Sequence, residues 1–112
     1  MTFIYKVTRK SFHMDLDFPY TEEKDKSSKQ FFSSIEKAVT VCNSYMENIT
    51  YEIKQKWNES YNNGQPCTVS FPRLTTEQVE LHFATTDIYD VIDYTCQYHT
   101  LYKVRIQRVP LL

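Results

Sequence analysis

The chain has 112 residues, thirteen Lys and Arg against fourteen Asp and Glu, and a formal charge of −1. That length fits one domain over residues 1–112, and the near-neutral balance argues against whole-molecule attraction to nucleic acid or to an anionic membrane. Sixteen Tyr and Phe with a single Gly point to regular secondary structure with few turns that need positive φ.

The first segment alternates, with Phe3, Tyr5 and Val7 on one side and Lys6 and Thr8 on the other. Past Arg9-Lys10 the parity flips: Phe12, Met14, Leu16 and Phe18 now alternate with Ser11, His13, Asp15 and Asp17. The flip predicts a bulge within one long strand. Pro19 is expected to stop that strand, and the charged stretch Tyr20 to Lys29 reads as an exposed connector. Gln30-Phe31-Phe32 reads as a short strand returning beside the first.

From Ser33 the pattern becomes helical. Ile35, Ala38, Val39, Cys42, Tyr45, Met46, Ile49, Ile53 and Trp57 fall within about a third of a helical wheel. A helix over about 33–60 follows, with one apolar side that a flat partner must cover. Ser33 and Glu36 fit a capping box, with Ser34 as the alternative cap. Ile49-Thr50-Tyr51 is the weak spot, and Tyr61-Asn62-Asn63-Gly64-Gln65-Pro66 ends the helix, with Gly64 for the cap and Pro66 beyond.

The second half reads as extended. Cys67, Val69 and Phe71 alternate, then Val79, Leu81 and Phe83, and Tyr98 to Val109 is the longest alternating run. Asp87 to Cys96 is ambiguous: Ile88, Val91 and Ile92 have helical spacing, whereas β-branched and aromatic content favours a strand. The fold class expected is α+β, a two-layer domain in which an antiparallel sheet of four or five strands packs on the one long helix.

No motif for catalysis stands out. One Gly excludes the glycine-rich phosphate loops, and no nucleophile elbow or metalloprotease motif is present. His13, Asp15 and Asp17 share a strand face, but strand neighbours on one face lie nearly 7 Å apart, too far to meet one zinc ion together. Asp87, Asp90 and Asp93 recur every third residue: on a helix they would drift across one face, open to a cation or a basic partner, on a strand they alternate sides and do neither, and they equally suit a helix N-terminus. Cys42 sits in the apolar stripe, and three widely spaced cysteines with no leader-like N-terminus fit free thiols in the cytoplasm. No catalytic residue, metal or cofactor is expected, and no run spans a bilayer.

Two binding readings remain. The aromatic excess makes Tyr20, Tyr51 and Tyr61 candidates for a protein interface, so a small non-enzymatic inhibitor or adaptor is expected, with a homodimer open as well. In general style the chain resembles accessory proteins of bacterial viruses or mobile elements, a resemblance that carries no motif. The alternative is nucleic-acid or nucleotide binding. If the first and last strands pair, Lys6, Arg9, Lys10, Lys103, Arg105 and Arg108 gather on one patch, with Tyr98 and Tyr102 for stacking. Against it stands a simpler role for those charges, the protection of sheet edges.

Overall fold

The structure is a computed structural model that describes residues 2–15, 18–23, 26–60, 67–96 and 100–111. In chain order these form β1 (Phe3–Asp15), β2 (Phe18–Glu22), β3 (Ser28–Phe32), α1 (Ile35–Ser60), α2 (Thr76–Phe83), β4 (Ile88–Cys96) and β5 (Thr100–Pro110). The strands make one antiparallel sheet in the order β2-β1-β5-β4, with β3 also on β1. The long helix packs on one face of it, as expected of the α+β layering. No helix among the described residues is long and apolar enough to cross a membrane.

The helix stripe faces the sheet. Ala38, Val39, Cys42, Met46, Ile49 and Ile53 are buried in one core with Val7, Ile92, Tyr102, Val104 and Ile106, while Ile35 and Tyr45 pack partly buried at its margin. At about 1.5–3 kcal/mol per fully buried aliphatic side chain, this stripe outweighs the poor helix propensity of the Ile49-Thr50-Tyr51 run. Thr50 also settles its hydroxyl on the Met46 carbonyl at 2.8 Å, so the helix passes its weak spot unbroken. The cap is Ser34, whose Oγ accepts from the Lys37 amide at 3.3 Å. The expected Ser33–Glu36 box gives way to it because the helix starts one residue later, which leaves Glu36 in the first turn as an acid near the positive helix end.

Several further expectations are corrected. The bulge at Arg9-Lys10 does not occur: β1 pairs with β5 in unbroken register from Phe3↔Pro110 to His13↔Thr100. The irregularities lie instead between His13 and Asp15 against β2 and between Asp90 and Ile92 in β4. The change of parity is chemical, with Arg9 and Ser11 buried on the helix side and Phe12 on the opposite face. Pro19 does not end strand structure, because β2 is an edge strand where a missing N–H costs no ladder bond. β2 and β3 run in succession along one edge of β1, so both ends of the Tyr20 to Lys29 stretch, through Glu22 and from Ser28, are sheet, with the Glu23 amide still bonded to the Ser11 carbonyl at 2.7 Å.

The strand expected through Val79, Leu81 and Phe83 is helix α2. Val79 and Phe83, four residues apart, enter the core, whereas Leu81 is 77 % exposed. Thr75 and Gln78 close a capping box, Thr75 Oγ1 accepting from the Gln78 amide at 3.3 Å and Gln78 Oε1 from the Thr75 amide at 3.0 Å. Before it, Cys67, Val69 and Phe71 are half-buried and alternate with exposed residues but join no sheet. Asn43 pins the end of this segment to α1. Its side chain donates to the Leu74 carbonyl at 3.0 Å and accepts from the Leu74 amide at 2.8 Å. The ambiguous Asp87–Cys96 stretch is strand β4, with Asp87 just before it.

Candidate nucleic-acid interface

The helices cover one face of the sheet, and strand alternation decides what the other face shows. In an antiparallel ladder, residues directly opposite one another share a face. On the uncovered face one rung reads Phe31, Lys6, Gln107, Ile88 across β3, β1, β5 and β4. The next reads Lys29, Thr8, Arg105, Asp90. Lys10, Lys103 and Asp93 follow, and then Glu22, Phe12, Leu101 and Thr95. Five cations therefore stand on β3, β1 and β5, while Asp90 and Asp93 line the β4 margin. A shallow cavity of about 550 Å³ runs over this face between Lys6, Lys10, Lys29, Lys103 and Arg105.

The charges are not equivalent. Arg105 is held by Asp90, Nε to Oδ1 at 2.6 Å and Nη2 to Oδ2 at 3.3 Å. The hydrogen bond to Asp90 raises its pKa above the ordinary guanidinium value, slight burial opposes this, and the charge of Asp90 adds to the rise. Lys10 lies 3.7 Å from Glu22. Among the described residues, Lys6, Lys29 and Lys103 have no ion-pair partner. Lys10 and Lys103 are both exposed and sit directly opposite each other, a like-charge pairing that destabilises a sheet.

The edge-guarding role does not fit this placement. β1 and β5 are the inner strands, so Lys6 and Lys103 stand between paired neighbours and protect no free edge, whereas Lys10 lies between the stretches of β1 that pair with β3 and with β2.

The expected patch is divided by the sheet. Lys6, Lys10, Lys103 and Arg105 come together on the open face, but Arg9 and Arg108 belong to the helix face by parity. Arg9 is 7 % exposed, its Nη2 2.9 Å from Glu52 Oε1 on α1. Arg108 pairs with Asp87 at 2.8 Å and lies over the rings of Phe3 and Phe83. Tyr102 is no stacking platform: it is fully buried, and its hydroxyl accepts from Lys56 Nζ at 3.2 Å. Tyr98 lies outside the described residues. Among the described residues, the aromatic groups on the open face are Phe31, 52 % exposed, and the half-buried Phe12. Reading Lys6↔Phe31 and Thr8↔Lys29 as cross-strand neighbours would have found Phe31 and Lys29; alternation within Ser28–Phe32 alone does not give that register.

Of the tyrosines expected at a protein interface, Tyr51 projects from the outer side of α1, 64 % exposed, with its hydroxyl accepting from Gln55 at 2.8 Å. Tyr61 and the side chain of Tyr20 lie outside the described residues. Among the described residues no group of three His, Cys, Asp or Glu is placed to hold a metal ion. Cys42 and Cys67 are free thiols, and burial pushes that of Cys42 from 9.0 up to about 12. No protein-family model, curated protein or solved structure matches the chain.

Proposed function

We propose that this chain acts by binding rather than catalysis, and that its ligand is a nucleic acid held on the uncovered sheet face. The observation that carries the reading is the pair Lys10 and Lys103, opposed at the centre of the sheet and flanked by Lys6, Lys29 and Arg105. Among the described residues Lys103, Lys6 and Lys29 have no ion-pair partner and Lys10 has only Glu22 at 3.7 Å, so a polyanion on this face gains contacts that the protein itself leaves open. An electrophoretic shift assay at two salt concentrations tests this. Binding at low salt that weakens steeply at higher salt is the expected result; no shift at low salt removes the proposal. The double variant Lys10→Gln/Lys103→Gln weakens binding while its melting temperature holds or rises, because it removes ligand contacts and internal repulsion together.

A second reading keeps a protein partner, of inhibitor or adaptor type, on the outer surface of α1. It is supported by the exposure of Tyr51, a stiff, half-polar side chain of the kind that anchors interfaces. Affinity capture from the native host, repeated with Tyr51→Ala, separates the two. A discrete stoichiometric protein lost on substitution favours this surface, whereas recovered nucleic acid that survives the substitution favours the sheet.

A further inference from the structure

We infer that the ligand of the open face is single-stranded RNA and that Phe31 is a stacking platform for one of its bases. The inference rests on the nucleic-acid reading above and narrows it. Phe31 is an aromatic ring left 52 % exposed in a position that shares a face with its cross-strand neighbour Lys6 and with Lys29 two residues back. A ring set between two cations that have no ion-pair partner among the described residues offers a π face and two phosphate contacts within one nucleotide's reach. A ring of this kind meets a base face only where the base is unstacked, which a duplex prevents.

The far margin of the face argues the same way. The positive track occupies β3, β1 and β5, roughly 10 Å across the ladder at about 4.8 Å per strand. Beyond it, on β4, stand Asp90 and Asp93, opposite Arg105 and Lys103. One phosphate backbone fits on the track, whereas a second would be carried over these carboxylates. Phe12 lies six residues from Lys6 along β1, about 20 Å away, and gives the track a second ring at its other end.

The choice of RNA over DNA comes from the neutral groups between the cations. The Thr8 hydroxyl and the Gln107 side-chain amide line the same cavity, and neither has a hydrogen-bond partner among the described residues. Each can donate and accept, as can a 2′-hydroxyl, and DNA offers no such group.

Fluorescence anisotropy tests the inference at low salt with three probes: a short labelled RNA of mixed sequence, the same RNA annealed to its complement, and the DNA strand of matching sequence. The single RNA strand binds at least tenfold more tightly than the duplex and severalfold more tightly than the DNA. Phe31→Leu weakens single-strand binding at least fivefold and leaves duplex binding unchanged, while Phe31→Tyr restores it. Circular dichroism of both variants confirms that the fold is retained. Equal affinity for duplex and single strand, or an unaffected Phe31→Leu variant alongside a weakened Lys29→Gln variant, overturns the stacking platform. Equal affinity for the DNA strand overturns the choice of RNA. Failure of every probe to bind overturns the parent reading as well, an outcome distinct from the other three.

Discussion

Replacing Asp90 with Asn should make the protein a better and more salt-sensitive binder. The open face carries five cations, but Arg105 is already neutralised by the two-point contact with Asp90, and Lys10 lies near Glu22. Lys6, Lys29 and Lys103 remain to displace counterions. On a single strand each neutralised phosphate adds about −0.7 to the slope of log K against log salt, so three give a slope of about −2. Between about 50 and 200 mM salt, binding then falls by about 20-fold. Asp90→Asn frees the Arg105 guanidinium, the slope steepens to about −3, and the loss over the same range grows to about 50-fold. The fold tolerates the change, because an exposed pair of this kind contributes at most about 1 kcal/mol. Anisotropy titrations of one labelled RNA strand at several salt concentrations measure both slopes. A flat slope for the unaltered protein, or equal slopes for the two proteins, would refute the assignment of free and paired cations.

Thr75→Ala removes the hydroxyl half of the α2 capping box and should cost about 1 kcal/mol in urea denaturation, with binding to the open face unchanged. In a Cys67→Ser/Cys96→Ser background, Cys42 should resist a thiol reagent until the protein unfolds, since burial removes it from contact and holds it as the neutral thiol. Its folded value lies above its ordinary one, so this contribution to stability is complete below about pH 9 and is lost as pH rises toward about 12, by at most about 1.4 kcal/mol per unit. Urea midpoints of that protein and of its Cys42→Val derivative should therefore diverge only above pH 9. Glu52→Gln strands the buried Arg9 charge and should cost up to about 3 kcal/mol, whereas Arg9→Met/Glu52→Leu should recover most of it, because Arg9 Nε and Glu52 Oε2 have no hydrogen-bond partner among the described residues even in the intact pair.

The long helix was legible because nine apolar residues repeat its period over more than six turns, a pattern strong enough to override the poor local propensity of Ile49-Thr50-Tyr51. Helix α2 was not, because over eight residues the spacing of Val79, Leu81 and Phe83 fits a strand as well as a helix. The deciding signal was Thr75-x-x-Gln78, a cap and not a periodicity. In β1 the sequence showed where apolar character changes sides but not why. A backbone bulge and a buried ion pair produce the same parity flip, and only the position of Glu52 on α1 distinguishes them. The basic patch was half legible for a related reason. Pairing of the terminal strands was readable from their alternation, yet the face on which Arg9, Arg108 and Tyr102 lie depends on a register set by contacts distant in sequence.

The two faces of the sheet are built by the same two strands. Along β5, Tyr102, Val104 and Ile106 enter the core while Lys103, Arg105 and Gln107 stand outside, and along β1 Val7 and Arg9 alternate with Lys6, Thr8 and Lys10. The spacing of the outer cations is thus fixed by the packing of the inner residues, and a lysine here cannot move along the sheet without lifting a buried neighbour from the core. Charge is divided in the same way. α1 and α2 carry six acids against three bases, whereas the open face carries five bases against Glu22, Asp90 and Asp93. A chain with a formal charge of −1 therefore carries an excess of bases on the open sheet face and an excess of acids on its helices, with Arg9 and Arg108 on the helix side held by Glu52 and Asp87. Overall neutrality says little about one face of such a scaffold, because the alternation of β1 and β5 places Lys6, Lys10, Lys103 and Arg105 together while their buried neighbours build the core.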